Sequence, residues 1–157
     1  YYLAYLAKKK NTGSDLILSG RKINNNFPIF LAQYISNYIS KKNKILVLGL
    51  TFKENVSDLR NTKIVDLIKS LKKRGHKVYI NDPYAYEKEV KKMNLSLTKL
   101  SKKNKYDVII LAVAHDNYKK LNYSFFKKKL NKNGKIFDIK AIWKNKKFPK
   151  TIDYIIL

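Results

Sequence analysis

Cysteine is absent from the 157 residues. That removes disulfides, thiolate zinc sites and a cysteine nucleophile from this chain. No apolar run approaches the roughly 18 residues that a membrane helix needs, and no basic start leads into an apolar core of the signal-peptide kind. No membrane partner is expected. Arginine is almost missing: Arg21, Arg60 and Arg74 are the three, within a Lys+Arg total of 35 against 11 acidic residues and a net charge of +24. Such a charge invites a nucleic-acid or polyanion reading. Base and phosphate recognition leans on the arginine fork, however. The lysines are spread over every segment, and Lys, Asn, Ile and Tyr share A/T-rich codons. The excess therefore reads as compositional bias. No specific nucleic acid is expected as a partner, although salt-sensitive sticking to polyanions is.

Hydrophobic residues make up 45% of the chain, which excludes wholesale disorder. The length suits one domain with a sizeable core plus a fragment of another. The start on Tyr1 predicts a piece of a longer protein. Ile23, Phe27, Leu31, Tyr34, Ile35 and Tyr38 recur at three- and four-residue steps, the stripe of an amphipathic helix. Pro28 fits its first turn, with Asn26 as cap. The pattern fades near residues 40–43, which sets a boundary at 42/43. Beyond it, apolar strands at 44–50, 77–81, 106–113 and 135–139 alternate with helical patterns at 62–74, 86–93 and 123–130. A short strand is expected at 95–97 and an edge strand at 152–157. Strands separated by helices predict an α/β fold, a Rossmann-like parallel sheet with helices on both faces.

The charge is densest where the first strand opens. "LGLTFKENVSDLRNTK", Leu48 to Lys63, places Lys53, Glu54, Asp58 and Arg60 in one loop. In doubly wound sheets ligands sit at the carboxyl ends of strands, and the helix that follows points its partially positive end at this loop. A diphosphate would suit a lysine point charge and an arginine fork. The alternative is that Lys53 and Arg60 merely pair with Glu54 and Asp58. The GxGxxG fingerprint is missing, since only Gly49 is present, so this is no standard NAD site by motif. Asp82 ends the second strand, as a ribose-binding carboxylate would; beside Pro83, turn formation is equally open. His76 follows a helix-ending glycine and is expected to be exposed.

The run "LGLTFKENVSDLRNTKIVDLIKSLKKRGHKVYINDPYA", followed by "AVAHD" at residues 112–116, resembles the C-terminal domain of the UDP-glucose/GDP-mannose dehydrogenase family, closest to its UDP-N-acetylglucosamine 6-dehydrogenase branch. The opening "YYLAYLAKKK...ILSGRKINNN" resembles the end of that family's central dimerisation domain. The resemblance implies that residues 1–42 belong to the helical dimerisation domain and 43–157 to a UDP-sugar-binding domain. It implies a cytoplasmic homodimer that oxidises C6 of a UDP-sugar twice, alcohol to aldehyde to acid, with NAD as cofactor, for polysaccharide or capsule precursors. By resemblance Phe52 and Lys53 contact the UDP-sugar and Arg60 reaches toward the NAD phosphates. Lys140, in "FDIKAIW", sits near the position that binds the uridine end and is lysine where some relatives have arginine. Arg21 falls near a helix start beside the active site, where an ordinary salt bridge is equally open. His115 and Asp116 look like an acid–base pair, but the resemblance gives them no catalytic role. The family's cysteine nucleophile lies just before the segment matching residues 1–4. No catalytic residue and no metal site are expected here, and the chain is expected to be inactive alone.

Overall fold

The computed structural model describes residues 2–39, 42–100 and 104–157. Five strands form one sheet: β1 (Lys44–Leu48), β2 (Lys77–Asn81), β3 (Tyr106–Leu111), β4 (Leu130–Asp138) and β5 (Asp153–Ile156). The order is β2-β1-β3-β4-β5 and every pairing is parallel. The α/β expectation therefore holds, with β1 and β3 central and β5 at one edge. Alternation along β1 explains why its sequence is apolar from Ile45 to Leu48. Ile45 and Val47 enter one core; Leu46 and Leu48 enter the other, on the opposite face. Each is fully buried, and each contributes roughly 1.5–3 kcal/mol of hydrophobic stabilisation.

Helices α1 (Tyr2–Lys9), α2 (Asp15–Tyr38), α3 (Ile64–Lys73) and α4 (Glu87–Lys92) precede β3; α5 (Asp116–Lys119) and α6 (Tyr123–Lys129) follow it. Leu31, Ala32, Ile35 and Ile39 from α2 and its end join Leu67, Ile68 and Leu71 of α3 in the first core. Tyr118, Phe126 and Trp143 fill the second. The opposite side of α1 and α2 is apolar and open to solvent, with Leu16 88%, Ile23 69% and Phe30 62% exposed. No helix of the described residues is long and apolar enough to cross a membrane.

Three local expectations are corrected. Pro28 does not start a helix; it lies inside the 24-residue α2, which begins at Asp15. A mid-helix proline forfeits one backbone hydrogen bond, and the buried Pro28, Leu31, Ala32 and Ile35 offset that cost by packing inward. Leu97 makes a single parallel bridge with Ile80 in place of a strand. His76 is not exposed: 5% of its surface meets solvent, because the turn into β2 runs beneath α2 and sets its Nε2 3.1 Å from Ser36 Oγ.

Burial, with Arg74 adding to it, lowers the His76 pKa from its ordinary value. The unfolded chain then takes up this proton before the folded one does. The stability that neutral His76 contributes is present above about pH 6.5 and is lost as pH falls below it. His76→Gln is expected to remove that part of the decline as pH falls below about 6.5 in denaturant melts, giving a flatter profile than the parent chain.

Candidate functional site

β1 lies between β2 and β3, so the ends of those two strands flank its exit. Gly49 takes the first step of the turn at φ +97°, its N–H donating to Asn81 O at 2.8 Å. A Cβ there would stand 2.4 Å from that of Val113, at the end of β3. Leu50 and Thr51 are fully buried, and their N–H groups both donate to Asp82 Oδ2, at 2.6 and 2.9 Å. Asp82 Oδ1 accepts from Tyr84 N at 2.8 Å and Ala85 N at 3.2 Å. Asp82 is thus the turn-former, with a side chain wholly out of solvent.

The middle of the loop is fastened from the β3 side. Asn55 N–H donates to His115 Nδ1 at 2.9 Å, and Asp116 N–H donates to Asn55 Oδ1 at 3.0 Å. His115 Nε2 lies 3.1 Å from Asp82 Oδ2 and 3.2 Å from Thr51 Oγ1. Phe52 N–H closes the loop on Asp58 O at 2.7 Å. At the far end Thr62 Oγ1 donates to Leu50 O at 2.7 Å and accepts from Ile64 N at 3.3 Å, joining the loop to the first turn of α3. Asn55 and Asn61 supply the left-handed corners, at φ 60° and 59°, a conformation asparagine tolerates better than most side chains.

The backbone is thus tied down while Phe52, Lys53 and Arg60 project outward, Phe52 being 61% exposed. The two cations behave differently. Arg60 grips Asp58 with both prongs, Nε to Oδ1 and Nη2 to Oδ2, each at 2.9 Å. That holds the Asp58 carboxyl down to about 2. The guanidinium remains 87% exposed, with N–H donors to spare. The Lys53 ammonium has no ion pair among the described residues. The pairing alternative therefore describes Arg60 and not Lys53.

Lys140 sits at the same edge of the sheet, one strand beyond β3. Its N–H donates to Asp138 Oδ1 at 3.1 Å, and Asp138 Oδ2 accepts from Trp143 N and Tyr154 Oη, both at 2.8 Å. Among the described residues no ion pair joins it to the β1 loop. Arg21 is half-buried within α2. His115 and Asp116 do not act on each other: His115 is buried, and the Asp116 carboxylate pairs with Lys119 at 2.8 Å. Among the described residues no three His, Asp or Glu side chains gather as a metal site. The joining of Asp82 to His115 was missed in the sequence. It follows once β2 and β3 are known to flank β1, because both residues stand just beyond strand ends.

This strand order and the built loop at the β1 exit define a doubly wound, Rossmann-like α/β domain, a fold that takes ligands at this edge. The description "UDP-glucose/GDP-mannose dehydrogenase family, UDP binding domain" matches residues 46–145, and the chain belongs to that family. Protein CapL of Staphylococcus aureus is 36% identical over 149 residues, which covers 90% of this chain and 35% of CapL. UDP-N-acetyl-D-glucosamine 6-dehydrogenase of Salmonella typhi is 35% identical over 129 residues, covering 77% of this chain and 30% of that enzyme. The native structure of the UDP-N-acetyl-mannosamine dehydrogenase Cap5O from Staphylococcus aureus matches with a TM-score of 0.71 at 26% identity, over 91% of this chain and 33% of that one. The chain spans about a third of the length of these relatives.

Proposed function

We propose that this chain is the C-terminal portion of an NAD-dependent UDP-sugar 6-dehydrogenase. Residues 1–42 would end a central dimerisation domain and 43–157 would bind the UDP-sugar. The observation that carries the reading is the unpaired Lys53 ammonium, beside the exposed Phe52, on a loop whose backbone is fixed from beneath. A lysine stem on a fixed backbone suits a diphosphate, which needs a charge held close to it. Phe52 offers an apolar face next to it. Lys140 lies along the same edge, toward the uridine end.

The substrate class is a UDP-N-acetylhexosamine or UDP-glucose, oxidised at C6 to a uronic acid for a polysaccharide such as a capsule. NAD would accept the hydride in each of the two oxidations. From this chain Arg60 would meet one of its phosphates with the donors Asp58 leaves open, and the exposed guanidinium fits that role. The chain itself brings no thiol to the reaction, so the nucleophile and the NAD-binding domain belong to the rest of the protein and the chain alone is expected to be inactive. The open apolar side of α2 supports a homodimer formed through this helix; by the family reading it would be cytoplasmic.

Calorimetry with UDP tests the proposal. Binding is expected, and Lys53→Ala should weaken it by about ten- to a hundredfold, the worth of one charge-assisted contact. No heat at millimolar UDP would overturn it. The net charge of +24 supports a second reading, a polyanion-binding module. That reading predicts steep loss of binding with salt and no preference for uridine nucleotides.

A further inference from the structure

His115 is wholly buried, yet both ring nitrogens are engaged. The Asn55 N–H points at Nδ1, which must therefore accept; the ring proton sits on Nε2 and faces Asp82 Oδ2. Tyr84 stacks on one side of the imidazole, with ring centroids 4.8 Å apart, and Tyr118 lies tilted at 5.5 Å. Thr51 Oγ1, beside the same Nε2, donates to Lys53 O at 3.1 Å. Lys53 is thus bracketed. The residue two before it and the residue two after it are both tied to one imidazole, and that imidazole is fixed by a carboxylate from β2 and two aromatic rings.

We infer that His115 is a positioning residue for Lys53: the Asp82–His115 pair, acting through Thr51 and Asn55, holds the turn that aims the ammonium at an anionic ligand. The inference rests on the reading of this loop as diphosphate-binding. His115 touches no solvent and would touch no ligand, so it is not catalytic. It uses strand-end groups from β2 and β3 to preset a turn after β1, so the ordering cost is met before the ligand arrives.

Two readouts separate this from a merely stabilising role. The first is amide exchange, which needs no ligand. In His115→Phe, exchange at Asn55 should rise by at least about tenfold, while Leu46 and Val47 of β1 keep their protection. A uniform loss of protection would show a structural role only and would overturn the inference. The second is UDP affinity, measured well below the melting temperature. His115→Phe should lose about tenfold, and His115→Gln, whose amide can still donate to Asp82, should recover part of it. Unchanged UDP affinity in folded His115→Phe would also overturn the inference. If His115→Phe does not fold, Thr51→Val, which removes only the hydroxyl between His115 and Lys53 O, decides on the same two readouts. Should the unaltered chain fail to bind UDP, the binding proposal falls, and exchange at Asn55 still decides whether His115 holds the turn.

Discussion

Gly49→Ala is expected to destabilise the chain by about 2–5 kcal/mol, a positive-φ cost added to an overpacking cost. The added methyl would meet Val113 at 2.4 Å from Cβ, 2.7 Å from the backbone N and 2.8 Å from Cγ2. The backbone nitrogen cannot swing aside, because the Val113 N–H is itself bound to Leu48 O at 3.2 Å. Relief would require β1 and β3 to part at the centre of the sheet. The melting temperature should fall by roughly 10 °C for a domain of this size. Gly75→Ala is the control. Gly75 has nearly the same dihedral, φ +92°, but nothing lies within 4 Å of a Cβ placed there. It should show only the dihedral part, about 1–2 kcal/mol. Equal losses in the two variants would remove the steric argument at the β1 exit.

Asp82→Ala is expected to cost a similar amount, about 3–5 kcal/mol, because it strips the partner from buried donors. Four backbone N–H groups and the His115 ring proton all end on this one carboxylate. Burial by itself would raise the Asp82 carboxyl. Hydrogen bonds from His115 and from the N–H groups of Leu50, Thr51 and Tyr84 outweigh burial and bring it down to about 2. In the unfolded chain the group titrates near 3.9. Asp82 therefore contributes stability that is complete above about pH 4 and is lost as pH falls toward about 2. Denaturant melts across that window should show a steep acid limb in the parent chain and a shallower one in Asp82→Asn. An acid limb unchanged in Asp82→Asn would show that the carboxylate is not held ionised by these donors. Asp58 is also lowered to about 2, but its exposed pair with Arg60 should add little to that limb.

The strands were the most readable part of the sequence, for a physical reason. β1 and β3 are buried on both faces, so each needs an uninterrupted apolar run, and such a run is visible without knowing its neighbours. The expected strand at 135–139 holds for the ladder that runs from Lys135 to Asp138, whereas β4 begins earlier, at Leu130, because Leu130 pairs with Tyr106 before a register shift that includes the left-handed corner at Asn133, φ 61°. The four residues of α5 are too few to show a helical period. His76 could not be placed, since nothing in its own neighbourhood says that α2 passes over it. The site divides the same way. The charge-rich loop was evident, and so was its place at a strand exit. Which cation pairs with an acid was not, because Lys53 and Arg60 have equivalent neighbours along the chain and differ only in how the loop folds. The link between Asp82 and His115 depends on strand order, which single-strand patterns do not contain.

The all-parallel sheet also fixes how the molecule must be reached from a disordered chain. No two adjacent strands can zip together through a tight hairpin. Lys44 meets Lys77, Ile45 meets Val108, and even the strands nearest along the chain join Lys135 to Asp153. Every ladder must first close a long loop, and the entropy of closure precedes any reward from pairing. Refolding is therefore slow compared with a helical bundle of equal length, and the unpaired β1 and β3 segments stay sticky throughout that interval.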